Sequence, residues 1–171
     1  MIESNYIEDN NYIIQQMRRI PALASFDETQ FNELLQMSHI KKYKSGELIF
    51  EEGSYTNLIY YLISGKAKIV KKGRILAVLS CIGDIFGEIA PIEGTARSAS
   101  VYAVDDTTCL EIDISNFDKA VGNDKYTFRY IMYRGFAEVL AQRLIKTTEE
   151  LISAMNEIDK LRNLEKKREQ S

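Results

Sequence analysis

The sequence predicts a mainly β domain with flanking helices, an α+β chain, on three observations. Short apolar runs separated by glycines fill residues 38–114, helically spaced apolar residues precede them, and a seven-residue apolar repeat follows them. At 171 residues with 45% hydrophobic side chains, the chain can bury one substantial core.

The first element is a helical segment within residues 1–37. Tyr6, Ile7, Ile13, Ile14 and Met17 recur at near-helical spacing and stop ahead of Pro21, which disfavours helix in the residue before it. Ser25 and Asp27 are start signals for a second helix carrying Phe31, Leu34, Leu35 and Met37.

The β region comes next. Ser45-Gly46, Glu52-Gly53, Ser64-Gly65, Lys72-Gly73 and Gly83-Asp84 punctuate the runs 48–50, 58–63, 67–70 and 75–79. Strands this short at this spacing indicate a barrel, a sandwich or a roll, with the glycines at turns.

Helical period returns over 115–161. Leu140, Leu144, Thr147, Leu151, Ala154, Ile158 and Leu161 are spaced 4, 3, 4, 3, 4 and 3 apart, the seam of a two-stranded coiled coil. A homodimer through 140–161 is the economical reading, and packing of the stripe on the chain's own roll is the alternative. The charged tail, 162–171, is expected to fray, with Lys166-Lys167-Arg168 as a solvated face.

Composition removes several function classes. A net charge of −3 and a pI near 5.4 give no general attraction for nucleic acid or anionic membrane. No apolar run approaches the roughly 20 residues that span a bilayer, and residues 1–10 lack the pattern of a signal peptide, so a cytoplasmic location is expected. His39 is the sole histidine, too few for a barrel metalloenzyme of the cupin type or a haem sensor. Cys81 and Cys109 lie singly in apolar, strand-like sequence and read as two buried thiols. No metal, cofactor or enzymatic activity is expected.

The segment Phe86 to Val101 carries the chemistry. Gly87 lets backbone approach a ligand closely, and Glu88-Ile89-Ala90 can open a short helical turn whose N–H groups face an anion, with Pro91 tolerated there. Arg97, nine residues beyond Glu88, offers the forked donors that suit a phosphate, and the Glu88 carboxylate suits a ribose hydroxyl. An ordinary ion pair closing the loop is the plainer alternative.

Phe86-Gly87-Glu88-Ile89-Ala90, followed by Arg97-Ser98-Ala99-Ser100-Val101, resembles the phosphate-binding cassette of the cyclic-nucleotide-binding domain family. The similarity extends over about residues 20–151, through Ile20-Pro21, Phe26, Gly46, Glu52-Gly53 and Tyr60-Tyr61-Leu62-Ile63-Ser64-Gly65. It implies a β-roll of the double-stranded β-helix or jelly-roll type, ending in a long dimerisation helix. It also implies that Arg97 clamps the phosphate, assisted by backbone N–H groups of Ile89, Ala90 and Ser98, and that Glu88 accepts the ribose 2′-hydroxyl. Pro91 and Ala96 depart from the commoner leucine and proline of the cassette, which alters loop stiffness and spares the contacting groups.

The base is read elsewhere. Thr147-Thr148 is similar to a Thr-Ser pair that contacts adenine in the family's dimerisation helix, which favours cAMP as ligand; a polar coiled-coil layer is the alternative. Ser98 keeps cGMP possible, since a hydroxyl after the cassette arginine can meet a guanine amino group. The function implied is a regulatory sensor whose C-terminal helix shifts on binding and acts on a downstream protein. A sensor fragment of a catabolite-activator type transcription regulator is the rival, although only ten residues follow Leu161.

Overall fold

The computed structural model describes residues 12–24, 26–36, 38–116 and 125–169. Tyr6, Ile7, Ser25 and Met37, used in the reading above, lie outside them. The chain divides into two compact units, Met1–Gly135 and Phe136–Ser171.

Helix α1 is described over 12–18, and a single turn, α2 (Pro21–Ala24), follows directly on Ile20. Helix α3 (Glu28–Gln36) begins with a reciprocal cap: Asp27 Oδ1 accepts the Gln30 N–H at 2.9 Å, and Gln30 Oε1 accepts the Asp27 N–H at 3.1 Å. These elements bury Ile13, Met17, Ile20, Leu23, Phe31 and Leu34.

Eight strands then form two four-stranded antiparallel sheets. They are β1 (Ser38–Tyr43), β2 (Leu48–Phe50), β3 (Leu58–Ser64), β4 (Ala67–Lys71), β5 (Arg74–Leu79), β6 (Ile85–Phe86), β7 (Ser100–Ala103) and β8 (Thr107–Asp113). One sheet has the order β1-β8-β3-β6 and the other β2-β7-β4-β5, the β-roll expected from sequence. Tyr43, Ile49, Phe50, Tyr60, Leu62, Phe86, Val101 and Cys109 form its core. Alternation puts Ile59, Tyr61 and Ile63 on the opposite face of β3, where they are also buried.

The turn at Ser64-Gly65 shows why glycine stands there. Gly65 has φ +80°, and a β-carbon would stand 2.5 Å from the Asp106 carbonyl oxygen and 2.7 Å from Thr107 Cα. The strand-like reading around Cys81 is overturned: the residue is exposed, in a turn whose Ser80 and Cys81 N–H groups both donate to Asp84 Oδ2. Cys109 is buried as expected. Cys81 follows the apolar β5 in sequence but lies in the turn itself, its carbonyl accepting the Asp84 N–H at 3.0 Å.

Helix α4 (Ile89–Glu93) lies between β6 and β7, and a 3-10 turn (Ile114–Asn116) follows β8. Helix α5 (Lys125–Glu169) is 45 residues long. It continues through 162–169, where fraying was expected; no glycine or proline interrupts that stretch, and arginine, leucine, glutamate and lysine all sustain a helix. In the second unit Leu144, Leu151, Ile158 and Leu161 of the seam are 48–69% exposed. No helix among the described residues is long and apolar enough to cross a membrane.

Candidate ligand-binding site

The cassette folds as strand, turn, short helix and strand. Phe86 ends β6, Gly87 turns the chain at φ +77°, and Glu88 caps α4 from helical dihedral angles, without a side-chain capping bond. Pro91 is the third residue of α4, within the turn whose N–H groups have no partner inside a helix. Gly94, at φ +67°, ends it, and the Gly94 and Thr95 N–H groups both close on the Ala90 carbonyl, the latter at 3.0 Å.

Arg97 is then fastened by its backbone. Its N–H donates to Ser54 O at 2.8 Å, and its carbonyl accepts the Gly53 N–H at 2.8 Å. Ser100 Oγ accepts the Glu52 N–H at 2.9 Å, so the loop after β2 and the start of β7 form one bonded unit.

The Arg97 side chain turns inward and is 2% exposed. Nη1 donates to Gly87 O; Nη2 donates to Thr56 Oγ1 and, at 2.7 Å, to Leu58 O. Nε is buried without an acceptor. The guanidinium lies 4.3 Å from the Phe50 ring centroid and 5.7 Å from that of Tyr60. Tyr60 in turn stacks on Phe86, with centroids 5.1 Å apart and planes 10° from parallel. A cation over aromatic faces is attracted by their quadrupoles, which offsets part of its lost hydration.

Electrostatics make the same point. Burial lowers the Arg97 pKa from its ordinary value, opposed by Tyr60 and by the charge of Glu88. The Gly87, Thr56 and Leu58 oxygens bonded to the guanidinium are neutral, as is the Tyr60 hydroxyl that also bonds it, and Glu88 acts on it through its charge. Glu88 is 2% exposed, and its charge adds to burial in pushing the Tyr61 hydroxyl up.

An open cleft of about 210 Å³ lies alongside, lined by Tyr55, Thr56 and Asn57 from the loop before β3 and by Ala90, Gly94 and Thr95. Neither Glu88 nor Arg97 lines it. Thr56 connects Arg97 to it, since it lines the cleft and accepts from Arg97. The cleft is smaller than the roughly 300–1,000 Å³ of a drug-sized site.

Gly87, Glu88, Ile89, Ala90, Arg97 and Ser98 are thus brought together around α4, with Ile89 and Ser98 exposed and Ala90 buried. Thr147 and Thr148 belong to the second unit, on exposed positions of α5, where Thr148 Oγ1 donates to Leu144 O at 2.7 Å. Sequence reasoning missed Thr56, for which a polar loop between two apolar strands gives no signal. Among the described residues no group of three or more His, Cys, Asp or Glu side chains could hold a metal ion.

A family model, described as the cyclic nucleotide-binding domain, matches residues 40–124. Residues 40–124 are a cyclic-nucleotide-binding domain. The chain is 30% identical over 107 residues to a cAMP-dependent protein kinase regulatory subunit of Schizosaccharomyces pombe, covering 63% of this chain and 26% of that protein. It is 36% identical over 106 residues to a cGMP-dependent protein kinase of Toxoplasma gondii, covering 61% and 11%. The chain therefore spans about a quarter or less of these two relatives. Among solved structures, the catabolite activator protein of Thermus thermophilus matches with TM-score 0.62 and 26% identity, over 77% of this chain and 61% of that one. A cyclic nucleotide-binding domain from Methylobacillus flagellatus matches with TM-score 0.70 and 18% identity, over 83% and 82%, and shares the fold.

Proposed function

We propose that this chain is a cAMP sensor without catalytic activity, in which the cassette binds the nucleotide and α5 reports it. The carrying observation is Arg97, a buried cation bonded to neutral oxygens, whose Nε–H has no acceptor. An unsatisfied buried donor costs about 1–3 kcal/mol, which an arriving phosphate oxygen recovers. Arg97 clamps the phosphate, with the N–H groups of Ile89, Ala90 and Ser98 beside it. Glu88 takes the ribose 2′-hydroxyl.

Thr147 and Thr148 read the adenine, and two copies of the chain pair along Leu144, Leu151, Ile158 and Leu161. The exposure of those four residues supports the pairing, because an unpaired stripe leaves them in water. If the base meets α5 in one arrangement only, binding shifts the population towards it and so reaches a downstream protein. Its site of action is the cytoplasm.

A cGMP preference is the second reading, favoured by Ser98, exposed directly after Arg97. Calorimetry with cAMP and cGMP on the wild type and Arg97→Ala tests both readings. Micromolar or tighter cAMP binding that weakens at least a hundredfold in the variant is expected. Equal binding by both proteins sinks the clamp, and a strong cGMP preference replaces cAMP.

A further inference from the structure

The bonds at Arg97 single out Thr56. A guanidinium has five N–H donors and grips a phosphate best along one edge, through two parallel bonds. The edge carrying the unspent Nε–H is completed by an N–H of Nη2, and Nη2 is held by Thr56 Oγ1 and Leu58 O. Two-point capture on that edge therefore requires one of these acceptors to let go.

They are not equally able to do so. Leu58 is the first residue of β3 and stands in register with Asp113 of β8, so moving its carbonyl disturbs the sheet. Thr56 is a loop residue whose hydroxyl moves by rotation about χ1 alone. It also lines the cleft, so an incoming anion reaches it first.

We propose that Thr56 is a positioning residue that latches the phosphate-binding guanidinium: it occupies Nη2 until the phosphate takes its place, and so sets the affinity of the site. The proposal rests on the cyclic-nucleotide reading above. It predicts that removing the hydroxyl strengthens binding, because the variant has no competitor to displace and gains more from the phosphate.

The test is calorimetric titration of cAMP into the full chain at fixed salt, with wild type, Thr56→Val, Thr56→Ser and Arg97→Ala compared. Thr56→Val keeps the branched shape and should bind about tenfold tighter, equivalent to about 1.4 kcal/mol. Thr56→Ser restores the hydroxyl and should return to within about twofold of the wild type. Tightening rescued by serine is not a result that structural damage produces. Thr56→Ala, with the same expected direction, serves if the valine variant does not fold. Unchanged or weaker binding by Thr56→Val overturns the latch while wild-type binding stands. A wild type that does not bind cAMP, or binds no better than Arg97→Ala, overturns the reading beneath it.

Discussion

Gly87 and Arg97 compete for the same space. A β-carbon on Gly87 would stand 2.7 Å from Arg97 Nη1 and 3.2 Å from ring atoms of Phe50 and Tyr60. The glycine that sequence reasoning placed for backbone approach to a ligand thus also makes room for the arginine. Gly87→Ala should lower stability by about 1–2 kcal/mol, the cost of a left-handed residue, and weaken cAMP binding at least tenfold as the guanidinium is displaced. Thermal melts alongside calorimetry separate the two effects. Unaltered affinity in a destabilised protein would mean that Arg97 works equally well from another position.

Glu88 offers a test on the ligand side. A charged hydrogen bond contributes about 1.5–3 kcal/mol, so Glu88→Ala should weaken cAMP binding about tenfold or more. It should leave 2′-deoxy-cAMP unaffected, because that analogue lacks the hydroxyl. Competition binding of both nucleotides to both proteins measures the difference. An equal loss for the two nucleotides would show that Glu88 acts on the fold rather than on the ribose.

The seam of α5 can be broken at one position. Leu151 is 59% exposed in a single chain, so Leu151→Glu leaves the subunit intact and sets two carboxylates in one layer of a paired helix. Sedimentation should report a dimer for the wild type and a monomer for the variant. An identical mass for both would assign the stripe another role.

Alkali should unfold the roll. Burial, reinforced by Glu111, pushes the Cys109 thiol from 9.0 to about 12, and burial first and Glu111 second push the Tyr60 hydroxyl from 10.0 to about 12. Between pH 9 and 12 the folded chain therefore holds protons that the unfolded chain has released, and stability falls as pH rises. Urea midpoints should be flat from pH 7 to 8.5 and decline from about pH 9. A thiol reagent at pH 8 should modify the exposed Cys81 and spare Cys109 until denaturant is added.

Strands such as 48–50 and 67–71 were legible because apolar runs end at glycine turns. The cassette segment stood out in sequence because its glycine, glutamate and arginine are the residue types that gripping a phosphate and a sugar would demand. Other features carry no such mark. Two-residue β6 is too short to show alternation, and β1, with His39, Lys41 and Lys42, is largely exposed and reads as polar chain. Cys81 misled because its apolar neighbours outweighed a turn held by Asp84. Thr56 was invisible because its role is set by a partner 41 residues away.

Strand β3 is a party wall. Tyr60 on one side belongs to the aromatic group that holds Arg97, while Tyr61 on the other is sealed from solvent and feels the charge of Glu88. Neighbouring residues on one strand share a peptide plane, so a displacement of the backbone at Tyr60 carries Tyr61 with it. The two rooms share one partition, and a displacement of its backbone is felt in both.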